Sequence, residues 1–79
     1  MLNSELPVAQ LKAELFKALG HPLRVRLLEE LVEGEFSVGE LAERIGAELA
    51  LASQQLGVLR RAGVVIGRRE ASTVRYSLR

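Results

Sequence analysis

The sequence predicts a mainly α chain finished by a small antiparallel β-hairpin, on three observations. Apolar residues recur at helical spacing from Leu11 to Leu59. Glycines at positions 20, 34, 46 and 63 cut that stretch into short helices. Beyond Gly63 the period falls to two, in "VVIGRR" and "TVRYSL", around the polar break "EAS".

The first helix is expected over residues 4–19. Ser4 can cap it, and Pro7 falls in its first turn, where a missing N–H costs little. Leu11, Leu15 and Leu19 recur at i, i+4 and i+8, with Phe16 beside them. "HPLRVRLLEELVEG" restarts at once with Pro22 at a first helical position. Its expected buried stripe is Leu23, Leu27, Leu28, Leu31 and Val32, and Gly34 stops it.

In "SVGELAERIG", Ser37 and Glu40 have the spacing of a capping box, in which the hydroxyl accepts from the N3 amide and the carboxylate reaches back. Leu41 and Ile45 should face inward and Gly46 should end the helix. A fourth helix should start near Glu48 or Leu49 and run to about Ala62, burying Ala52, Leu56 and Leu59, with Gly63 as a left-handed stop. In the hairpin, Val74, Tyr76 and Leu78 share one face, and Thr73, Arg75 and Ser77 the other.

A chain of 79 residues predicts one domain, residues 1–79. Such a chain buries about 60–65% of its unfolded surface, a modest core. The absence of cysteine excludes disulfides, thiolate metal sites and thiol redox chemistry in this chain. No apolar run approaches the roughly 18 residues of a membrane span, and "MLNSELPVAQ" lacks the pattern of a signal peptide, so a cytoplasmic location is expected.

Net charge is +1, but its distribution is uneven. Residues 1–48 hold five Lys/Arg and nine Asp/Glu, or −4, whereas residues 49–79 hold six Arg and one Glu, or +5. Such a split points to an anionic partner on one side of the fold. All the late cations are arginine, the better ligand for phosphate and base edges.

Two short helices around a tight Gly-containing turn, followed by a two-stranded ribbon, make a winged helix-turn-helix. The pair would be residues 37–45 and 49–62. In this motif the second helix enters the major groove with its N-terminal half at the base edges. Its expected outward residues are Ser53, Gln54, Gly57, Val58 and Arg61. Gln54 can pair bidentately with adenine, Ser53 can serve base or phosphate, and Gly57 permits close backbone approach. Arg60, Arg61, Arg68, Arg69 and Arg75 are candidates for phosphate and groove contacts.

"LFKALGHPLRVRLLEELVEGEFSVGELAERIG", "SQQLGVLRRAGVV" and "RREASTVRYSL" together resemble the ArsR/SmtB family of bacterial transcriptional repressors, across residues 15–78. The resemblance implies a dimeric repressor that binds a near-palindromic operator and releases it when an effector binds. It places the DNA-reading positions on Leu49, Ala50, Ser53 and Gln54. Leu49, Ala50 and Leu51 are apolar where the family is usually polar, and they either meet thymine methyls, pack on a neighbour or mark weakened DNA binding. The family's thiolate motif falls on "EFSVGEL", with Ser37 and Gly39 at the cysteine positions. A hydroxyl and a hydrogen cannot replace two soft ligands, so no metal is expected there and no cofactor. The C-terminal helix that carries the family's second metal site and part of its dimer interface has no counterpart before Arg79. A homodimer would then rely mainly on residues 4–19.

Catalytic readings find no support. His21 precedes Pro22 with no ligand set nearby and suits a helix cap. Glu29 with Glu33, and Glu40 with Glu43, fit solvated helix faces rather than an acid–base pair. Ser53 lies in no G-x-S-x-G, and Gly57, Gly63 and Gly67 make no phosphate-binding fingerprint. The alternative is a winged helix that binds another protein, with weak or no sequence-specific DNA binding. Salt separates the two: five to six neutralised phosphates give a log–log slope of about −5, and a protein interface gives a flatter response.

Overall fold

A computed structural model describes residue 10 and residues 20–79. The helix expected over residues 4–19, and the dimer contact assigned to it, lie outside the described residues apart from a helical Gln10. In chain order the described elements are α1 (Pro22–Glu33), β1 (Phe36–Ser37), α2 (Val38–Ile45), α3 (Leu49–Arg61), β2 (Val65–Glu70) and β3 (Thr73–Leu78).

Each boundary has a local cause. His21 caps α1 in extended backbone, its Nδ1 accepting from the Leu23 amide at 3.1 Å, and Pro22 follows where no amide partner is needed. Gly34 closes α1 in extended rather than left-handed backbone, because the chain turns straight into β1. Ser37 and Glu40 form the reciprocal capping box at α2, at 3.2 Å for the hydroxyl and 2.8 Å for the carboxylate. At the other end of α2, Gly46 has φ 68°, and the amides of Gly46 and Ala47 donate to the carbonyls of Glu43 and Ala42. The same arrangement ends α3, where the amides of Gly63 and Val64 reach Arg60 and Leu59. Three residues, Gly46 to Glu48, therefore separate the helix pair.

The core draws on every layer: Leu27 and Leu31 from α1, Leu41 and Ile45 from α2, Leu56 and Leu59 from α3, and Val65 from β2. Leu23, Leu28, Phe36, Val38, Val64 and Tyr76 pack around it. One expected core residue is overturned: Val32 is 73% exposed. At about 100° per residue it lies a full 100° past Leu31, beyond the edge of a stripe centred on Leu27 and Leu31.

The β-region is a three-stranded antiparallel sheet in the order β1-β3-β2, rather than a bare hairpin. The extra strand is the dipeptide Phe36–Ser37, paired with Tyr76 and Arg75. In the β2–β3 ladder Val65, Gly67 and Arg69 face Leu78, Tyr76 and Val74, while Ile66, Arg68 and Glu70 face Ser77, Arg75 and Thr73. The hairpin turns through two residues, Ala71 and Ser72, and Ala71 sits at φ 57°. The architecture is that of a mainly α winged helix-turn-helix.

Candidate nucleic-acid interface

The buried face of α3 is Ala52, Gln55, Leu56 and Leu59. Its opposite face is therefore fixed. Ala50, Ser53, Gln54, Arg60 and Arg61 are exposed along it, and Gly57 is partly exposed. A Cβ on Gly57 would meet only Arg61 Nη1, at 3.4 Å, so the surface between Gln54 and Arg61 is low. Arg60 and Arg61 fall in the last turn, where cations also favour the helix dipole.

The two adjacent glutamines divide their roles. Gln54 points outward, whereas Gln55 is 7% exposed and accepts at Oε1 from Arg24 Nε at 2.7 Å. That charge-assisted bond ties α3 to α1 and satisfies the buried amide oxygen. Sequence reasoning passed over Gln55; its place three and four residues from Ala52 and Leu59 was the available signal.

The wing joins the helix at Gly67. A Cβ there would come within 3.3 Å of Tyr76 and Val74 side-chain carbons and 3.5 Å of Arg60 Cδ. The methylene stem of Arg60 thus lies against the strand, and glycine leaves it room. Arg69 shares the Gly67 face of the ladder and is exposed. Among the described residues no ion pair involves Arg60, Arg61 or Arg69.

Arg68 and Arg75 are placed differently. They share the other face of the ladder, among carboxylates. Arg68 Nη2 lies 3.0 Å from Glu35 and 3.5 Å from Glu70. The hydrogen bond from Arg68 to Glu35, then their charge attraction, holds the guanidinium above its ordinary pKa. Arg75 donates to the Glu35 carbonyl at 2.8 Å and has Glu35, Glu40 and Glu70 within 4.0 Å. The structure therefore gathers Ser53, Gln54, Gly57, Arg60 and Arg61 on one helix surface. It puts Arg69 on the wing face nearer that helix, and sets Arg68 and Arg75 apart in a surface ion-pair network. Glu35, absent from the sequence-based site, is the hub of that network; it carries no periodic signal before β1.

Leu49 and Leu51, in the first turn of α3, are 57% and 40% exposed, so neither joins the core. Among the described residues no three His, Cys, Asp or Glu side chains are grouped to hold a metal ion, and no helix is long and apolar enough to cross a membrane.

Comparison with known proteins agrees with this geometry. Residues 19–68 match the family model described as a helix-turn-helix domain. An HTH-type transcriptional regulator of Mycobacterium tuberculosis is 56% identical over 73 residues, covering 91% of this chain and 64% of the relative. The chain thus spans a little under two thirds of that relative's length. The crystal structure of the transcriptional repressor BigR from Xylella fastidiosa superposes with a TM-score of 0.83 at 46% identity, over 100% of this chain and 81% of that one. A winged helix-turn-helix DNA-binding domain from Mycobacterium bovis, described as homodimeric and as a possible ArsR-family regulator, gives 0.82 at 31% identity, over 94% of this chain and 68% of that one. With the capped helix pair, the glycine-closed turns and the three-stranded wing, these likenesses show that the chain belongs to the helix-turn-helix transcriptional regulators of the ArsR-like, winged-helix type.

Proposed function

We propose that this chain binds duplex DNA as the reading part of an ArsR-like transcriptional repressor, and that it acts by binding rather than by catalysis. The observation that carries the reading is the outer surface of α3: Ser53 and Gln54 exposed side by side, with Arg60 and Arg61 at the helix end. Ser and Gln offer hydrogen bonds to base edges, and the guanidinium groups offer charge to the flanking phosphates. Arg69 extends the cationic surface along the wing. The proposed site is Ser53, Gln54, Gly57, Arg60, Arg61 and Arg69; Arg68 and Arg75 belong to it only as supports of the wing.

The repressor BigR and the homodimeric Mycobacterium bovis domain support a repressor acting as a homodimer, with residues 4–19 as the expected dimer contact and the cytoplasm as the proposed location. Two recognition helices would then engage half-sites about one helical turn apart. "EFSVGEL" offers no thiolate, so effector release through cysteine-bound metal is not part of the proposal.

A protein-binding role is the second reading, favoured by the exposed Leu49 and Leu51. Selection of duplexes from a random pool decides between them. Recovery of a shared near-palindromic sequence, bound with steep salt dependence, supports the repressor. Failure to enrich any sequence, or an affinity insensitive to salt, favours a protein partner.

A further inference from the structure

We infer that Arg24 is a positioning residue for base selectivity: from α1 it holds the Gln55 amide and so fixes the rotation of α3 about its own axis. This rests on the DNA-binding reading above, and Arg24 acts through Gln55 rather than on the bases.

A polar side chain is unexpected where Gln55 stands. The rest of the buried face of α3 is Ala52, Leu56 and Leu59, and Gln55 is the one buried polar or charged side chain among the described residues. A leucine there would bury more apolar surface and need no partner. The amide oxygen is satisfied because Arg24, itself half-buried, donates to it from Nε at 2.7 Å.

The bond supplies what the surrounding leucines do not, a direction. Leu27 and Leu31 of α1 share one core with Leu56 and Leu59 of α3. Apolar burial is non-directional, so it holds the helices together more firmly than it fixes the rotation of either one. A charge-assisted hydrogen bond has a preferred length and angle. Its donor end is anchored, because Arg24 lies in the first turn of α1 and its own amide donates to the His21 carbonyl at 3.0 Å. Its acceptor end is the residue next to Gln54.

Rotation matters most at the outer surface of α3. Side chains reach about 5–6 Å from a helix axis, so a turn of about 10° moves the Gln54 amide by about 1 Å. Hydrogen bonds to base edges, made between about 2.7 and 3.2 Å, do not survive such a shift. The attraction of Arg60, Arg61 and Arg69 for phosphates falls slowly with distance and does survive it. Loss of the Arg24–Gln55 bond should therefore cost selectivity and spare the salt slope.

The test uses the whole chain, the tightest duplex selected from a random pool and a scrambled duplex of equal length. Selectivity is the ratio of the two affinities, read by fluorescence anisotropy on variants shown to be folded by circular dichroism. Arg24→Met and Gln55→Met should each lower selectivity about tenfold, the scale of one base contact, with the salt slope unchanged. The double variant should be no worse than either single one. Gln55→Glu keeps an acceptor for Arg24 and should retain selectivity. Arg26→Met removes an exposed cation two residues along α1 and should retain it too. Leucine replaces methionine in any variant that does not fold. Selectivity that survives both single substitutions, losses that add in the double variant, or an equal loss in Arg26→Met overturns the inference while leaving DNA binding intact. Failure to select any duplex overturns the DNA-binding reading itself.

Discussion

Arg68 and Arg75 stand opposite one another across the β2–β3 ladder, and the Glu35 carboxylate lies 3.0 Å from the first and 3.9 Å from the second. Like charges directly opposite in a sheet repel, and the carboxylates of Glu35, Glu40 and Glu70 offset that repulsion. Three carboxylates surround these two guanidinium groups on the surface of the wing. The basic residues of the C-terminal half thus fall into two sets: Arg68 and Arg75 are ion-paired, and Arg60, Arg61 and Arg69 have no ion pair among the described residues.

This division sets the salt dependence of duplex binding. On the proposed reading Arg60, Arg61 and Arg69 are the phosphate ligands, so the log–log slope against salt should be about −3 per protomer rather than about −5. Glu35→Gln removes the hub anion and should steepen the slope by about one as Arg68 becomes available. Fluorescence anisotropy titrations at several salt concentrations measure both. A wild-type slope of −5 per protomer means that the network opens on binding.

Base reading and phosphate contact should separate by mutation. Gln54→Ala should cost about 1–3 kcal/mol on the preferred duplex and relax one base preference. Arg69→Ala should weaken binding to all sequences alike and reduce the salt slope by about one. Competition between selected and scrambled duplexes distinguishes the two patterns. An unchanged preferred sequence in Gln54→Ala removes Gln54 from base reading.

The capping box predicts both a mutational and a pH effect. Ser37→Ala should lower stability to urea by about 1 kcal/mol. The Ser37 amide, donating to the Glu40 carboxylate at 2.8 Å, holds the Glu40 pKa below the ordinary glutamate value, with Arg75 and Arg44 assisting. Because the folded-state value is the lower one, this contribution is complete above the unfolded-state value and is lost as pH falls through the folded one. Urea midpoints measured between about pH 6 and pH 3 should therefore fall more steeply in the wild type than in Glu40→Gln. Equal slopes would leave the carboxylate without a role in the cap.

The hairpin turn offers a stabilising change. Ala71 sits at φ 57°, where its Cβ crowds the backbone. Ala71→Gly should stabilise the chain by about 1 kcal/mol in urea unfolding, with duplex affinity unchanged. Destabilisation instead would show that the Ala71 methyl makes a contact that outweighs its strain.

The helix pair was readable from sequence because its signals are local. Ser37 with Glu40, Gly46 and Gly63 mark ends that a few neighbouring atoms decide, and the structure places them as expected. The exposure of Ser53 and Gln54 followed from the apolar spacing of Ala52, Leu56 and Leu59. What escaped depends on distant partners. Phe36–Ser37 is too short to show a strand period and becomes one only because β3 arrives beside it. The pairing of Arg68 and Arg75 with Glu35 was hidden because it spans 33 and 40 residues of chain. Val32 differs for a third reason: it is apolar, but it lies about 100° around the helix from Leu31, outside the buried stripe.

Ser37 belongs to β1 and caps α2 at once, leaving no slack between the edge strand of the wing and the helix ahead of the reader. The Ser37–Arg75 pairing ties the hairpin to α2, and Leu41 and Ile45 share one core with Leu56 and Leu59 of α3. On the proposed reading, the depth of the helix in a groove and the reach of the finger along the sugar chain would then be set together, like the two jaws of a calliper.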